Sequence, residues 1–182
     1  METKADIRKH MLKLRGSLPQ EKQEKWSLSI QNRIMQCAEF RNSEWIYLYM
    51  DYKSEVQTGL LLDECLRLGK RIALPRVEGQ DMHFYEIKGR TDVRDGYRGI
   101  PEPVTAGRVE REDAFMVVPG VAFSEDRRRI GYGKGFYDRY LHRFPEIYTC
   151  GAAYECQVAE QLPYEEHDVS LNKLITEGVI RC

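Results

Sequence analysis

The sequence predicts a single-domain α/β protein spanning residues 1–182, with a mainly parallel sheet and helices on both faces. Short apolar patterns typical of strands alternate along the chain with helical patterns, and glycine or proline separates them. A chain of 182 residues suits one hydrophobic core, because two smaller domains would each bury too little surface. In such sheets the ligand site usually lies beyond the carboxyl ends of the strands.

The first part of the chain contains two helix patterns followed by a β-α-β unit. A short helix precedes an amphipathic one, which begins after Ser17 and has apolar residues at helical spacing through Met35. A strand at 45–50 and a leucine-rich helix at 58–68 come next. The second strand, at 71–74, is expected to end at Pro75.

The second part of the chain begins with a loop-rich insertion at 78–111, which glycines and prolines interrupt and which contains one short strand at 82–87. The remaining elements are a strand at 114–118, a helix that begins at Gly135, and strands at 148–153 and 174–175.

Composition and charge exclude several classes of protein. With 42% hydrophobic and 31% charged residues, the chain is expected to be globular, and its net charge of -1 argues against nucleic acid as a partner. The apolar run at 45–50 is too short to span a membrane, and residues 1–15 do not resemble a signal peptide. The five cysteines lack metal-binding spacing and are expected to be reduced, which predicts a cytoplasmic protein. We also expect a monomer or weak dimer.

A glycine-rich segment carries the strongest chemical signal. Gly131, Gly133 and Gly135 alternate before a helix, where backbone N–H groups and the positive helix end suit phosphate, and Arg129 and Lys134 add full charges. The alternative is a flexible turn before an ordinary helix. The segment matches neither the Walker pattern nor the dinucleotide-binding fingerprint, because the required glycine and hydroxyl positions hold other residues.

Two stretches resemble a known family. Pro-Gly-Val-Ala-Phe at 119–123 and Arg-Ile-Gly-Tyr-Gly-Lys-Gly-Phe-Tyr-Asp-Arg at 129–139 resemble the signature of the 5-formyltetrahydrofolate cyclo-ligases, also called methenyltetrahydrofolate synthetases. The resemblance extends to Lys4 and Arg8 and to residues 55–58, 99–103, 163–168 and 176–178.

The resemblance implies ATP- and Mg²⁺-dependent cyclisation of 5-formyltetrahydrofolate to 5,10-methenyltetrahydrofolate, with release of ADP and phosphate through a phosphorylated formyl intermediate. Such phosphoryl transfer depends on positioning and charge neutralisation, so the chain needs no protein nucleophile. The small-molecule substrates would therefore be a formylated folate and ATP.

The resemblance also implies roles for individual residues. Lys134 and Arg129 would be catalytic, and Asp138 and Asp168 would hold Mg²⁺, which prefers carboxylate oxygens. The residues implied to bind ATP are Lys4, Arg8, Arg129, Ile130, Gly131, Tyr132, Gly133, Lys134, Gly135, Phe136 and Tyr137. Those implied to bind folate are Met50, Glu55, Tyr132, Gly133, Lys134, Gly135 and Phe136.

Several of these residues also have structural interpretations. The two basic residues of the first helix could form a solvated helix face, Glu55 could begin a helix, and the aromatic pair at 136–137 could belong to the core. Asp138 could pair with Arg139 or Arg143, and Asp168 could cap a turn, with His167 as a structural neighbour.

Two positions depart from the family pattern. Tyr132 stands where arginine is common, and Asn172 stands where a second aspartate is common. Two other functions remain open. One is a nucleotide- or folate-binding relative without turnover, and the other is a different α/β enzyme acting on a sugar phosphate or acyl thioester.

Overall fold

The computed structural model describes residues 2–182 and has the predicted α/β fold. The long helix patterns are confirmed, with boundaries within two or three residues of those expected. A short helix, α3, follows the amphipathic helix and was not predicted. The α-helices are α1 Lys4–Gly16, α2 Gln20–Gln36, α3 Ala38–Asn42, α4 Gly59–Arg67 and α5 Phe136–Arg143.

The strands are short, and they include every strand that the sequence predicted. They are β1 Trp45–Tyr47, β2 Arg71–Glu78, β3 Asp81–Ile87, β4 Val93–Asp95, β5 Pro101–Pro103, β6 Arg108–Val109, β7 Phe115–Val118, β8 Ala122–Ser124, β9 Arg129–Ile130, β10 Tyr148–Ala152, β11 Val158–Ala159, β12 Lys173–Ile175 and β13 Ile180–Arg181.

The main sheet has eight strands in the order β13-β12-β10-β7-β1-β2-β3-β6. Its five central strands, from β12 to β2, pair in parallel, and the outer strands β13, β3 and β6 pair antiparallel. The predicted unit is therefore present as β1-α4-β2, with the two strands adjacent. Two smaller sheets, β11-β8-β9 and β4-β5, lie outside the main sheet.

Helices cover both faces of the main sheet, because neighbouring residues of its strands point to opposite sides. On β1, Ile46 joins a core cluster that contains residues of α2, α3 and α4. The next residue, Tyr47, joins the other cluster, to which α5 contributes Tyr140 and Leu141. The prediction of helices on both faces is confirmed.

Pro75 does not end β2, which continues to Glu78, so that part of the prediction was wrong. The Leu48 N–H donates to the Ala73 carbonyl oxygen at 3.0 Å, so the backbone groups of Ala73 face β1. Alternate residues of a strand direct their backbone groups to the same neighbouring strand. The missing N–H of Pro75 therefore faces β1, whose ladder stops there, while β2 remains paired with β3 through Pro75 and Phe84.

Helix α1 packs against the small sheet that contains β8 and β9. Thr3 caps its N-terminus in a capping box with Asp6, and Ile7 packs against Ala122 and Ile130. The only other buried residue of α1 is Arg15. The position of α1 thus rests on a few apolar contacts and on its basic side chains.

Candidate active site

A cavity of about 720 Å³ lies beyond the carboxyl ends of the central strands, where the sequence predicted the ligand site. Its floor includes Tyr49 and Met50, which follow β1, and Pro119, which follows β7. The glycine loop and the start of α5 form one wall, α1 and residues 165–168 form a second, and residues 97–102 lie at a third side.

The glycine loop connects β9 to α5, and its backbone explains two of the glycines. Gly133 has φ +92° and Gly135 has φ +66°, both in the left-handed region that residues with a side chain rarely adopt. A Cβ added at Gly133 would lie 3.5 Å from Cζ of Arg8. That distance is an ordinary contact, so glycine at this position is required by the turn and not by the approach of α1.

The basic residues of α1 point at the cavity wall, and the alternative of a solvated helix face does not describe them. Lys4 Nζ lies 2.6 Å from Oδ2 of Asp168 and 3.2 Å from Oε2 of Glu165. Arg8 donates from Nε to the carbonyl oxygen of Gly131 at 2.7 Å. Because the two residues are one helical turn apart, α1 contacts both residues 165–168 and the glycine loop.

The two predicted metal ligands line the same cavity, although they lie on distant parts of the chain. The N–H of Val169, the residue after Asp168, faces Oδ1 of Asp138 at 3.5 Å. Although partial burial opposes it, the hydrogen bonds from Lys4 and from the Glu165 N–H lower the pKa of Asp168. Asp168 is therefore a carboxylate at neutral pH.

The donor set fits a magnesium ion. Lys4 and Arg129 bind the Oδ2 atoms of Asp168 and Asp138, so each aspartate keeps Oδ1 with at most a long hydrogen bond from residues 2–182. Carboxylate oxygens are the ligands that Mg²⁺ prefers. Among residues 2–182, the group of three potential ligand residues whose ligand atoms lie within 4.8 Å of one another is Glu165, His167 and Asp168, and Asp138 is not part of it.

Asp138 forms a buried ion pair that differs from the surface pairs considered above. Its partner is Arg129, with Nη2 3.1 Å from Oδ2, and not Arg139 or Arg143. The Arg129 side chain is 4% exposed, and its Nε has no hydrogen-bond partner within the described chain. A buried guanidinium with an unused donor at the cavity wall suits an anionic ligand.

Glu55 lies in the loop before α4 and faces the cavity, so it does not begin a helix. Its Oε1 accepts from the Tyr132 hydroxyl at 2.9 Å, and its Oε2 accepts from the Tyr52 N–H at 2.8 Å. Burial raises the pKa of Glu55, and burial together with the Glu55 charge raises the pKa of Tyr132 to about 12. The glycine loop and the β1–α4 loop are thus joined across the cavity.

Arg15 is a residue of this site that the sequence analysis missed. It is 2% exposed and donates to the Tyr132 hydroxyl at 2.8 Å. A signal was present, because Arg15 lies on the same helical face as Lys4 and Arg8, about three turns after the first of them. Helix periodicity in the basic residues, in addition to the apolar ones, would have indicated it.

The aromatic residues at the start of α5 line the cavity and also contact the core. Phe136 meets Tyr97 edge to face, with ring centroids 6.0 Å apart, and Tyr137 meets Phe84 at 6.5 Å. Both are partly buried. Lys134 is exposed at the cavity rim, where its carbonyl oxygen accepts from Arg139.

The remaining predictions concern residues outside the cavity. Asn172, which stands where a second aspartate is common in the family, accepts hydrogen bonds from the N–H and hydroxyl of Thr149 on β10. The five cysteines are free, and burial raises the pKa of Cys65 to about 12, which argues against a nucleophilic thiolate there. Among the described residues, no helix has the length and apolar character needed to cross a bilayer.

A sequence model of the 5-formyltetrahydrofolate cyclo-ligase family matches residues 1–177. The chain belongs to this family. The expectation of an enzyme with this fold is therefore confirmed, and membership implies a folate and ATP as small-molecule substrates.

Similar proteins support this membership over nearly the whole chain. A probable 5-formyltetrahydrofolate cyclo-ligase of Schizosaccharomyces pombe is 30% identical over 175 residues, which cover 85% of this chain and 86% of that protein. The 5-formyltetrahydrofolate cyclo-ligase of Escherichia coli is 29% identical, with 91% and 96% covered.

Solved structures also have this fold. The solution structure of a 5,10-methenyltetrahydrofolate synthetase from Aquifex aeolicus superposes with a TM-score of 0.89 and 36% identity, covering 98% of this chain and 91% of that one. A 5,10-methenyltetrahydrofolate synthetase from Mycoplasma pneumoniae has a TM-score of 0.80 at 22% identity, covering 97% and 99%, which supports the fold alone.

Proposed function

We propose that this chain catalyses the ATP- and Mg²⁺-dependent cyclisation of 5-formyltetrahydrofolate to 5,10-methenyltetrahydrofolate, with release of ADP and phosphate. The observation that carries the proposal is the convergence on one cavity of the glycine loop, the two basic residues of α1, and the carboxylates of Asp138 and Asp168. Family membership supplies the substrate class, and the cavity supplies the charges that a phosphate chain requires.

The phosphate end of ATP would lie against the glycine loop, where Lys134 is exposed and Arg8 and Lys4 approach from α1. In the reaction the formyl oxygen attacks the terminal phosphorus, and the bond to ADP breaks. Arg129 and Lys134 would neutralise the charge that spreads over the transferred phosphoryl oxygens. The chain contributes position and charge, and no covalent intermediate forms on it.

The folate would occupy the deeper part of the cavity between Glu55, Met50 and Phe136. A carboxylate suits the N–H donors of a pterin edge, and an aromatic ring suits its flat face. The neighbouring anilino nitrogen then attacks the activated formyl carbon and loses its proton, and phosphate leaves with the former formyl oxygen.

Asp138 and Asp168 would hold the magnesium ion, which when bound supplies charge neutralisation to the phosphate oxygens. The Arg129 and Lys4 contacts fix the orientation of these two carboxylates. Both contacts leave Oδ1 of each aspartate available, which supports the assignment.

The test is formation of the methenyl product, followed by its absorbance, from purified chain, 5-formyltetrahydrofolate, ATP and MgCl₂. Turnover should require all three additions, and ADP should form in a one-to-one ratio with product. ADP release that does not depend on the folate, or product that forms without ATP, would contradict the proposal. A non-catalytic relative would bind both substrates and show neither product nor folate-dependent ADP.

A further inference from the structure

Arg15 is the most deeply buried charged residue near the cavity, at 2% exposure. Its guanidinium makes three different contacts, each with another part of the chain. Nε donates to the Ser54 hydroxyl at 3.1 Å, Nη1 to the Gly120 carbonyl at 3.1 Å, and Nη2 to the Tyr132 hydroxyl at 2.8 Å. The planar fork of arginine suits such a three-way contact, and a lysine could not reproduce it.

The contact with Tyr132 determines where the tyrosine proton goes. A guanidinium has only donors, so the Tyr132 hydroxyl must accept from Arg15 and direct its single proton elsewhere. The acceptor it faces is Oε1 of Glu55, at 2.9 Å. Because the Tyr52 N–H occupies one site on Oε2, both oxygens of Glu55 act as acceptors, and each retains a free lone pair.

We propose that Arg15 is a positioning residue for the folate substrate, acting through Tyr132 to hold the Glu55 carboxylate in the orientation that receives the N–H donors of the pterin. The proposal rests on the folate-binding role of Glu55 in the proposed function. Arg15 itself does not line the cavity, whereas Tyr132 and Glu55 do. Its effect on catalysis would therefore pass through the Tyr132 hydroxyl.

The same contacts also explain how the Glu55 carboxylate is stabilised at a buried position. Glu55 is 7% exposed, and burial raises its pKa, whereas the Tyr52 N–H, the Tyr132 hydroxyl and the Arg15 charge oppose that rise. Without the hydroxyl, the Glu55 carboxylate would keep the Tyr52 N–H and lose its one hydrogen bond from another side chain among the described residues. Its carboxyl group would then turn more freely and bind the pterin less well.

The first test is Tyr132→Phe, which removes the hydroxyl and keeps the ring. Because the Glu55 carboxylate then has one fewer contact that fixes its orientation, the KM for the folate should rise about tenfold, which corresponds to about 1.4 kcal/mol. The KM for ATP should rise less than the KM for the folate, because the hydroxyl contacts Arg15 and Glu55, whereas Tyr132 was assigned to ATP as part of the glycine loop. A loss of folding alone would not separate the two KM values in this way.

The second test is a double-mutant cycle with Arg15→Lys. In the wild-type background this change should raise the folate KM by a similar factor, and in the Tyr132→Phe background it should add little, since the two act in series. Ser54→Ala is the matched control, because it removes another contact of the same guanidinium outside the path to Glu55. It should lower the melting temperature without changing the folate KM.

The outcomes separate this inference from the function on which it rests. A folate KM within about twofold of wild type in Tyr132→Phe overturns the inference, as does an Arg15→Lys effect of equal size in both backgrounds. If the wild-type chain forms no methenyl product, the proposed function fails and the inference with it. Normal wild-type turnover with unchanged variant KM values overturns the inference alone.

Discussion

Replacing Asp138 by alanine should destabilise the protein as well as reduce turnover. The change leaves the Arg129 guanidinium buried without its counter-charge, since the two side chains are 17% and 4% exposed and lie 3.1 Å apart. Removing one partner of a fully buried pair costs about 3–5 kcal/mol. The partial exposure of Asp138 places the expected loss at about 2–3 kcal/mol.

This loss can be read from thermal unfolding followed by circular dichroism. For a chain of this length, 1 kcal/mol corresponds to about 2–4 °C, so Asp138→Ala should melt about 4–12 °C below wild type. Asp138→Asn keeps an oxygen that can accept from Arg129 and should lose about 1–1.5 kcal/mol, with a correspondingly smaller shift. Both variants should lose turnover, so the melting temperature distinguishes them and the activity does not.

The control is the pair of variants Arg129→Met and Arg129→Met/Asp138→Ala. Once the buried charge is absent, removing Asp138 should cost little, and the coupling energy should be about 1–3 kcal/mol. A melting temperature of Asp138→Ala within about 1 °C of wild type would refute the reasoning, because it would mean that the pair contributes nothing to the folded state.

The other predictions concern the cavity walls. Lys134→Ala should lower kcat/KM for ATP about tenfold or more, because a phosphate contact contributes about 1.5–3 kcal/mol, and it should leave the melting temperature unchanged, because the side chain is exposed; a changed melting temperature with normal ATP kinetics would contradict this. Lys4 lowers the pKa of Asp168 below 3.8, although partial burial opposes this. The Lys4–Asp168 pair therefore stabilises the folded state above about pH 4, and this stabilisation fades as the pH falls through the lower pKa of the folded state. The difference in melting temperature between wild type and Asp168→Asn should therefore narrow as the pH falls below about 4, and a difference that widens in acid would show the opposite linkage. Gly133→Ala should raise the ATP KM and cost about 1–2 kcal/mol, because a residue with a side chain is strained at φ +92°; unaltered ATP kinetics would argue against this loop as the phosphate site.

The elements that were predicted correctly are those with a long periodic signal. Helix α2 carries apolar residues at helical spacing over 17 residues, and β3 is a continuous strand of seven residues. The strands of the two small sheets have two or three residues each, which is too short for a period to appear. Local patterns therefore predicted six of the eight strands of the main sheet and the four longer helices, and missed the two-residue strands β6 and β13, the short helix α3 and the small sheets.

The extent of β2 depended on its neighbours. Proline is a valid stop signal for a strand with partners on both sides, but β1 pairs with β2 only as far as Tyr47 and Leu48. Beyond that point Pro75 needs no partner on the β1 side, and β3 supplies pairing on the other. Which strand ends where is a property of the assembled sheet, and no local signal contains it.

The sequence by itself determined the α/β class, the glycine loop and the residue types of the candidate site, because these depend on local spacing and on the chemistry of each side chain. Only the tertiary structure decided which of them meet. Lys4 and Asp168 are 164 residues apart and Tyr132 and Glu55 are 77 apart, yet each pair is in hydrogen-bond contact. Such contacts follow from strand order and helix docking, which no spacing along the chain specifies, and for this reason the contact of Arg15 with Tyr132 appeared only in the folded protein.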